Sequence, residues 1–83
     1  AREYSSTAID LIDSVLASGV AQGQFRTDIR GRDVYLLIAA AGYFYMSNRH
    51  TLAAFLGENL DTPDAVAHWQ RFVTESVLRS LKP

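Results

Sequence analysis

The sequence contains no cysteine and only two prolines, and its charge is nearly balanced. Without thiols, the chain has neither a disulfide framework nor a thiolate metal site to hold a small fold together. Eight Lys and Arg side chains stand against nine Asp and Glu, so the net charge is −1 and the basic stripe typical of nucleic-acid binders is missing. Burial of apolar side chains is therefore expected to supply most of the stability.

Long hydrophobic runs are also scarce. The most apolar stretch, residues 34–46, is shorter than the ~20 residues that a membrane span requires. The polar N-terminus lacks the basic flank and apolar block of a signal peptide. We therefore expect a cytoplasmic protein without membrane contact. Because the chain opens without an initiator Met, we also expect it to be the later part of a longer protein.

The sequence has 83 residues, and 48% of them are hydrophobic. This composition is normal for a globular chain and too apolar for disorder, which predicts one domain over residues 1–83. A chain this short buries only about 60% of its unfolded surface when it folds alone. Without a disulfide or a structural metal, such a chain often gains stability by forming oligomers.

Apolar residues recur at three- and four-residue intervals, and no alternating strand pattern is present. We predict an all-α domain of four helices, three long and one short, at about 3–22, 31–47, 51–57 and 62–81. The polar segment 47–50 is expected to separate the second helix from the short third one.

Capping residues support these boundaries. Gly23 and Gly57 are suited to end helices, since glycine readily takes the left-handed conformation of a C-cap. Thr51 is expected to cap the short helix, and Thr62 followed by Pro63 is the clearest helix start in the sequence.

The second helix is apolar around its whole circumference, unlike an amphipathic surface helix. The last helix also carries a broad apolar face. Pairing both with the same helices of a second copy predicts a homodimer that forms a four-helix bundle. The predicted interface residues are Leu37, Ile38, Ala41, Tyr45, Val66, Trp69, Val73 and Val77.

Residues that carry catalytic or metal chemistry are few and scattered. His50 and His68 have no second His or Cys at zinc-ligand spacing, and Ser47 lies in no nucleophile elbow. Asp10 and Asp13 share the polar side of the first helix, where carboxylates keep ordinary properties. We predict no catalytic residue, no metal site and no cofactor.

Several segments resemble the C-terminal domain of TetR-family transcriptional regulators over about residues 12–82. They are the stretch from Gly23 to Ile29, the apolar helix, Tyr43 to Tyr45 with Ser47 to Leu52, and Asp61-Thr62-Pro63 before the last helix. The resemblance implies a repressor whose N-terminal helix-turn-helix domain, absent from this chain, binds the DNA. It also implies dimerisation through residues 34–46 and 66–81, and an effector pocket bordered by residues 3–22.

The effector is expected to be small and largely apolar. The inner face of the first helix and the aromatic end of the second offer apolar walls and one phenol hydroxyl. The residues expected to contact it are Leu11, Val15, Leu16 and Tyr43. Two alternatives stay open: a purely structural dimerisation module without a ligand and, with less support, a small enzyme or metal protein.

Overall fold

The computed structural model describes residues 6–83, which form three helices: α1 (Ser6–Ala21), α2 (Gly31–Leu56) and α3 (Pro63–Ser80). No strand occurs within these residues, so the all-α prediction is confirmed. The predicted count of four helices is wrong. The first helix was predicted from residue 3, and residues 3–5 lie outside the described part of the chain.

The predicted break at residues 47–50 does not exist, because α2 continues through it and includes the short helix predicted at 51–57. No glycine or proline interrupts this segment. Its polar side chains bond back to the helix: Asn48 Nδ2 donates to the carbonyl of Phe44 at 3.0 Å, and the Arg49 guanidinium donates to that of Met46. The segment stays helical while these groups are satisfied, and Thr51 is a mid-helix residue rather than a cap.

The predicted ends of the later helices are confirmed. Gly57 ends α2 with φ 74° and donates its N–H to Ala53 O at 2.8 Å, a conformation that costs little only for glycine. Thr62 Oγ1 accepts the N–H of Ala65 at 3.1 Å, and Pro63 is the first residue of α3. The loop between them, residues 57–62, is therefore held at both ends.

The start of α2 is capped from another helix. Arg30 makes no side-chain cap, and the N–H of Gly31 instead donates to Asp13 Oδ1 of α1 at 3.0 Å. A Cβ at position 31 would lie 2.2 Å from that oxygen, so only glycine permits this approach. The contact positions α1 across the first turn of α2.

The core lies at the end of the molecule where α1, the start of α2 and the end of α3 meet. Leu16, Val77 and Leu81 are buried together, and they pack against the half-buried Ile12, Phe25, Ile29, Val34 and Val73. The connector at residues 22–30 is fastened there, since Arg26 N donates to Leu81 O at 2.8 Å. Phe25 and Ile29 anchor this connector to the core.

Much of the apolar surface stays exposed. The accessible area is 6431 Å², whereas the scaling for compact monomers gives about 4900 Å² for a chain of this size. Among the described residues, the large apolar side chains of α2 that remain exposed are Tyr35, Leu36, Leu37, Ile38, Tyr43, Phe44, Met46, Phe55 and Leu56. No helix of residues 6–83 is long and apolar enough to cross a lipid bilayer.

Candidate functional site

An aromatic cluster joins α2, α3 and the loop between them. Tyr45 is only 7% exposed, and its hydroxyl donates to Leu60 O at 2.8 Å. Its ring stacks on Trp69 with 5.5 Å between ring centroids and 16° between planes. Trp69 Nε1 in turn donates to Ala41 O on α2 at 3.2 Å. One hydrogen bond and one stacked pair therefore join α2 to α3, and the Tyr45 bond joins α2 to the loop.

A groove of about 170 Å³ runs between α2 and α3 beside this cluster. It is lined by Leu37, Ala41, Trp69, Phe72, Val73, Ser76 and Val77. Leu37 and Phe72 on its rim are 51% and 54% exposed, and Phe44, one heptad after Leu37 on the same side of α2, is 57% exposed. We call the groove together with these three side chains the α2–α3 face.

Five of the eight residues predicted for the dimer interface line this groove: Leu37, Ala41, Trp69, Val73 and Val77. Val77 and Tyr45 are buried within the chain itself, and Val66 is half-buried. Ile38 follows Leu37 directly and so projects about 100° away from it around the helix. The predicted interface omitted Phe44 and Phe72. Helical spacing nonetheless indicates one continuous stripe, because positions 37, 41 and 44 share a side of α2 and positions 69, 72 and 76 share a side of α3.

A second cavity, which we call the α1 cavity, lies between α1 and the ends of α2 and α3. Its volume is about 220 Å³, and it is lined by Leu11, Ile12, Val15, Leu16, Val34 and Leu81. Three of the four residues predicted to contact an effector therefore meet here. Tyr43 does not join them, since it is 74% exposed and lies about 13 Å beyond Val34 along α2.

A third and larger cavity, which we call the end cavity, opens where the second half of α2, the loop and the start of α3 meet. Its volume is about 770 Å³. Its walls are Phe44, Tyr45, Leu52, Leu56, Glu58, Asn59, Leu60, Thr62, Asp64, Ala65, His68 and Trp69. This site does not follow from the sequence prediction, because the predicted break at 47–50 separates Leu52 and Leu56 from the aromatic part of α2.

Charged contacts fasten the loops. Arg49 Nε lies 2.8 Å from Asp61 Oδ1 without the alignment of a hydrogen bond, so this contact is an ion pair between α2 and the loop at 57–62. Within the loop, Asp61 N donates to Asn59 Oδ1 at 2.8 Å. These contacts hold the loop wall of the end cavity against α2.

In the connector, two bonds of 2.7 Å join Arg26 to Asp28. The hydrogen bond from Arg26 lowers the pKa of Asp28 below its usual value, and the same bond raises the pKa of Arg26. Both side chains are exposed, so the pair adds little stability. Within residues 6–83, no three His, Asp or Glu side chains converge as metal ligands would.

Comparison with known proteins places these features in a family. The family described as "Tetracyclin repressor-like, C-terminal domain" matches residues 1–77. The chain is also 41% identical over 81 residues to the HTH-type transcriptional repressor NicS of Pseudomonas putida, an alignment that covers 98% of this chain and 38% of that protein. No solved structure matches the chain. The chain belongs to the family of tetracyclin repressor-like C-terminal domains, as the sequence resemblance predicted.

Proposed function

We propose that this chain is the dimerising and effector-sensing part of a TetR-like transcriptional repressor. The α2–α3 face carries the proposal, because its large apolar side chains are more than half exposed beside an open groove. Monomeric proteins rarely leave a continuous apolar patch of this kind in water. The similar repressor is much longer than this chain, and we propose that DNA contact belongs to a separate helix-turn-helix domain.

A second copy of the same face is the partner that fits. Symmetric dimers pair one surface with itself, so Phe72 of each copy can enter the groove beside Leu37 of the other. Ser76 of α3 and Ala41 of α2 have small side chains, which let two helices approach closely. Pairing α2 and α3 with their symmetry mates produces a four-helix bundle and removes these apolar surfaces from water.

Charge placed on this face tests the dimer. Leu37→Glu and Phe72→Glu each put a carboxylate where the partner would exclude water, which costs several kcal/mol without a counter-charge. Sedimentation velocity at micromolar concentration should show dimers for the unmodified chain and monomers for both variants. Leu78→Glu is the control, because Leu78 is also 51% exposed but lies on another side of α3. A monomeric unmodified chain, or equal loss of dimer in the control, would contradict the proposal.

The effector site is proposed at the α1 cavity. Its walls are entirely apolar side chains, which suits a small apolar molecule better than an ionic one. Leu11 and Val15 are exposed on its outer side, so the rest of the longer protein would complete the enclosure. In a thermal-shift series, small hydrophobic compounds should raise the unfolding midpoint with concentration, and Val15→Ala should reduce the shift.

A structural dimerisation module without a ligand is the second candidate. It is favoured by the volume of the α1 cavity, which at about 220 Å³ falls below the usual 300–1,000 Å³ of ligand pockets. Dimers in sedimentation together with no concentration-dependent thermal shift for any small hydrophobic compound would support this candidate.

A further inference from the structure

We propose that the end cavity is a second ligand site, distinct from the α1 cavity, and that it binds a monovalent organic cation with an apolar body. Its volume of about 770 Å³ lies within the range of small-molecule pockets. It is built from both sides of the α2–α3 hairpin and from the loop that joins them.

Aromatic rings provide the first part of the recognition. Phe44, Tyr45 and Trp69 all line the cavity. Trp69 is stacked against both Tyr45 and Phe72, so Phe44, which is 57% exposed, is the ring most open to a ligand. The face of an aromatic ring attracts ammonium groups, because the ring quadrupole places negative charge on each face. Leu52 and Leu56 add aliphatic wall for the body of the ligand.

The charged residues in the cavity wall indicate the sign of the charge that a ligand would carry. Glu58 and Asp64 lie in the wall, and none of the residues that line the cavity is Lys or Arg. Within residues 6–83, no ion pair engages either carboxylate, whereas Asp61 in the same loop is paired with Arg49. The cavity therefore combines an exposed aromatic ring with two carboxylates that no ion pair engages among the described residues, which favours a cation and disfavours a carboxylate or phosphate.

The walls are held in place before any ligand arrives. The Tyr45 hydroxyl is bonded to Leu60 O, Thr62 caps α3, and the Arg49–Asp61 ion pair fastens the loop to α2. Little ordering remains to be done when a ligand binds, which lowers the entropic cost of binding.

Tryptophan fluorescence is the direct test, because Trp69 is the only tryptophan of the chain and lies in the cavity wall. The chain is titrated with benzyltrimethylammonium, with uncharged benzyl alcohol and with phenylacetate, which share one ring and differ in charge. The cation should give a saturable change, benzyl alcohol a change at much higher concentration, and phenylacetate none. Equal affinity for phenylacetate, or no saturation with the cation, would overturn the proposal.

Charge-removing variants sharpen the test. The double variant Glu58→Gln with Asp64→Asn should weaken binding of benzyltrimethylammonium about fivefold, in line with two exposed charges. Glu75→Gln removes the same charge from α3 about 16 Å from Asp64 and should leave the affinity unchanged. Unchanged affinity in the double variant would refute the charge argument. The comparison of the three probes on the unmodified chain stands even if a variant fails to fold.

The competing occupant is a second copy of the chain. If the fluorescence response to the cation disappeared as protein concentration rose into the range where sedimentation shows dimers, the cavity would be filled by the partner and the ligand proposal would fail. The dimer assignment is measured separately, by the Leu37 and Phe72 variants, so failure of the ligand proposal can be told apart from failure of the dimer proposal.

Discussion

A carboxylate of α1 caps the first turn of α2. Asp13 accepts the N–H of Gly31, a residue 18 positions later in the chain. The start of α2 at residue 31 could be predicted from the apolar pattern that follows it. The cap itself could not be predicted. The sequence pattern places Asp13 on the polar, solvated side of the first helix, and no local motif connects it to Arg30 or Gly31.

Removing this cap should destabilise the chain. Asp13→Ala leaves the Gly31 N–H without its acceptor, and we expect a loss of about 1 kcal/mol in the free energy of unfolding. Asp13→Asn retains an oxygen acceptor and should lose less. Urea denaturation at one fixed protein concentration measures both, with Asp10→Ala on the same helix as the control. Equal losses for Asp10→Ala and Asp13→Ala would contradict the capping role.

Gly31→Ala should destabilise the chain although alanine is the better helix former. The new methyl would lie 2.2 Å from Asp13 Oδ1 and 3.2 Å from Ile9 O, so the Asp13 side chain must leave its bond. In the Asp13→Ala background the clash with the Asp13 side chain disappears. The further loss in the free energy of unfolding caused by Gly31→Ala should then become smaller or change sign. A double-mutant cycle by urea denaturation gives the coupling directly. Additive losses would mean that the two residues do not interact.

At the scale of the element, the unbroken α2 is the main difference from the sequence prediction. Ser47, Asn48 and Thr51 all favour caps and turns in short peptides, because their side chains compete for backbone hydrogen bonds. Here Asn48 and Arg49 donate to the carbonyls of Phe44 and Met46 in the preceding turn, and the flanking Tyr45 and Leu52 are buried and half-buried. These bonds to the helix backbone, together with the contacts of Tyr45 and Leu52, override the local preference, and a single sequence does not reveal such contacts.

An alanine–glycine comparison at position 47 tests this continuity. Ser47 is exposed within α2, so Ser47→Ala should be more stable than Ser47→Gly by about 1 kcal/mol, the usual difference inside a helix. Urea denaturation measures the difference. Gln24 lies in the connector outside any helix, so Gln24→Ala and Gln24→Gly should differ less in the free energy of unfolding. Equal differences at the two positions would place residue 47 outside a regular helix.

For the whole molecule, the sequence was informative about class and family and less so about sites. The all-α fold, the ends at Gly57 and Thr62 and the apolar excess of α2 follow from spacing and caps. The α1 cavity gathers Leu11, Val15 and Leu16 because they share one helix face, which periodicity can show. The end cavity depends on how far two helices diverge around a loop, and neither spacing nor composition encodes that angle.

A chain with so small a core should gain stability from association. Only Leu16, Tyr45, Val77 and Leu81 are buried apolar residues in the described part of the chain. If two copies pair through the α2–α3 face, the midpoint of thermal unfolding should rise by about 4 °C for each tenfold increase in protein concentration. Differential scanning fluorimetry over a hundredfold range measures it, and Phe72→Glu should abolish the slope. A constant midpoint in the unmodified chain would contradict coupled folding and association.

The continuity of α2 also has a mechanical consequence. Val34 near one end of this helix touches the α1 core, and Leu52 near the other lines the end cavity, roughly 27 Å away along a single rigid rod. A rod of that length acts as a lever: a tilt of about 5° at one end displaces the other by roughly 2 Å, a shift of the size that switches subunit interfaces. Two helices joined by a flexible break would have absorbed such a movement at the joint.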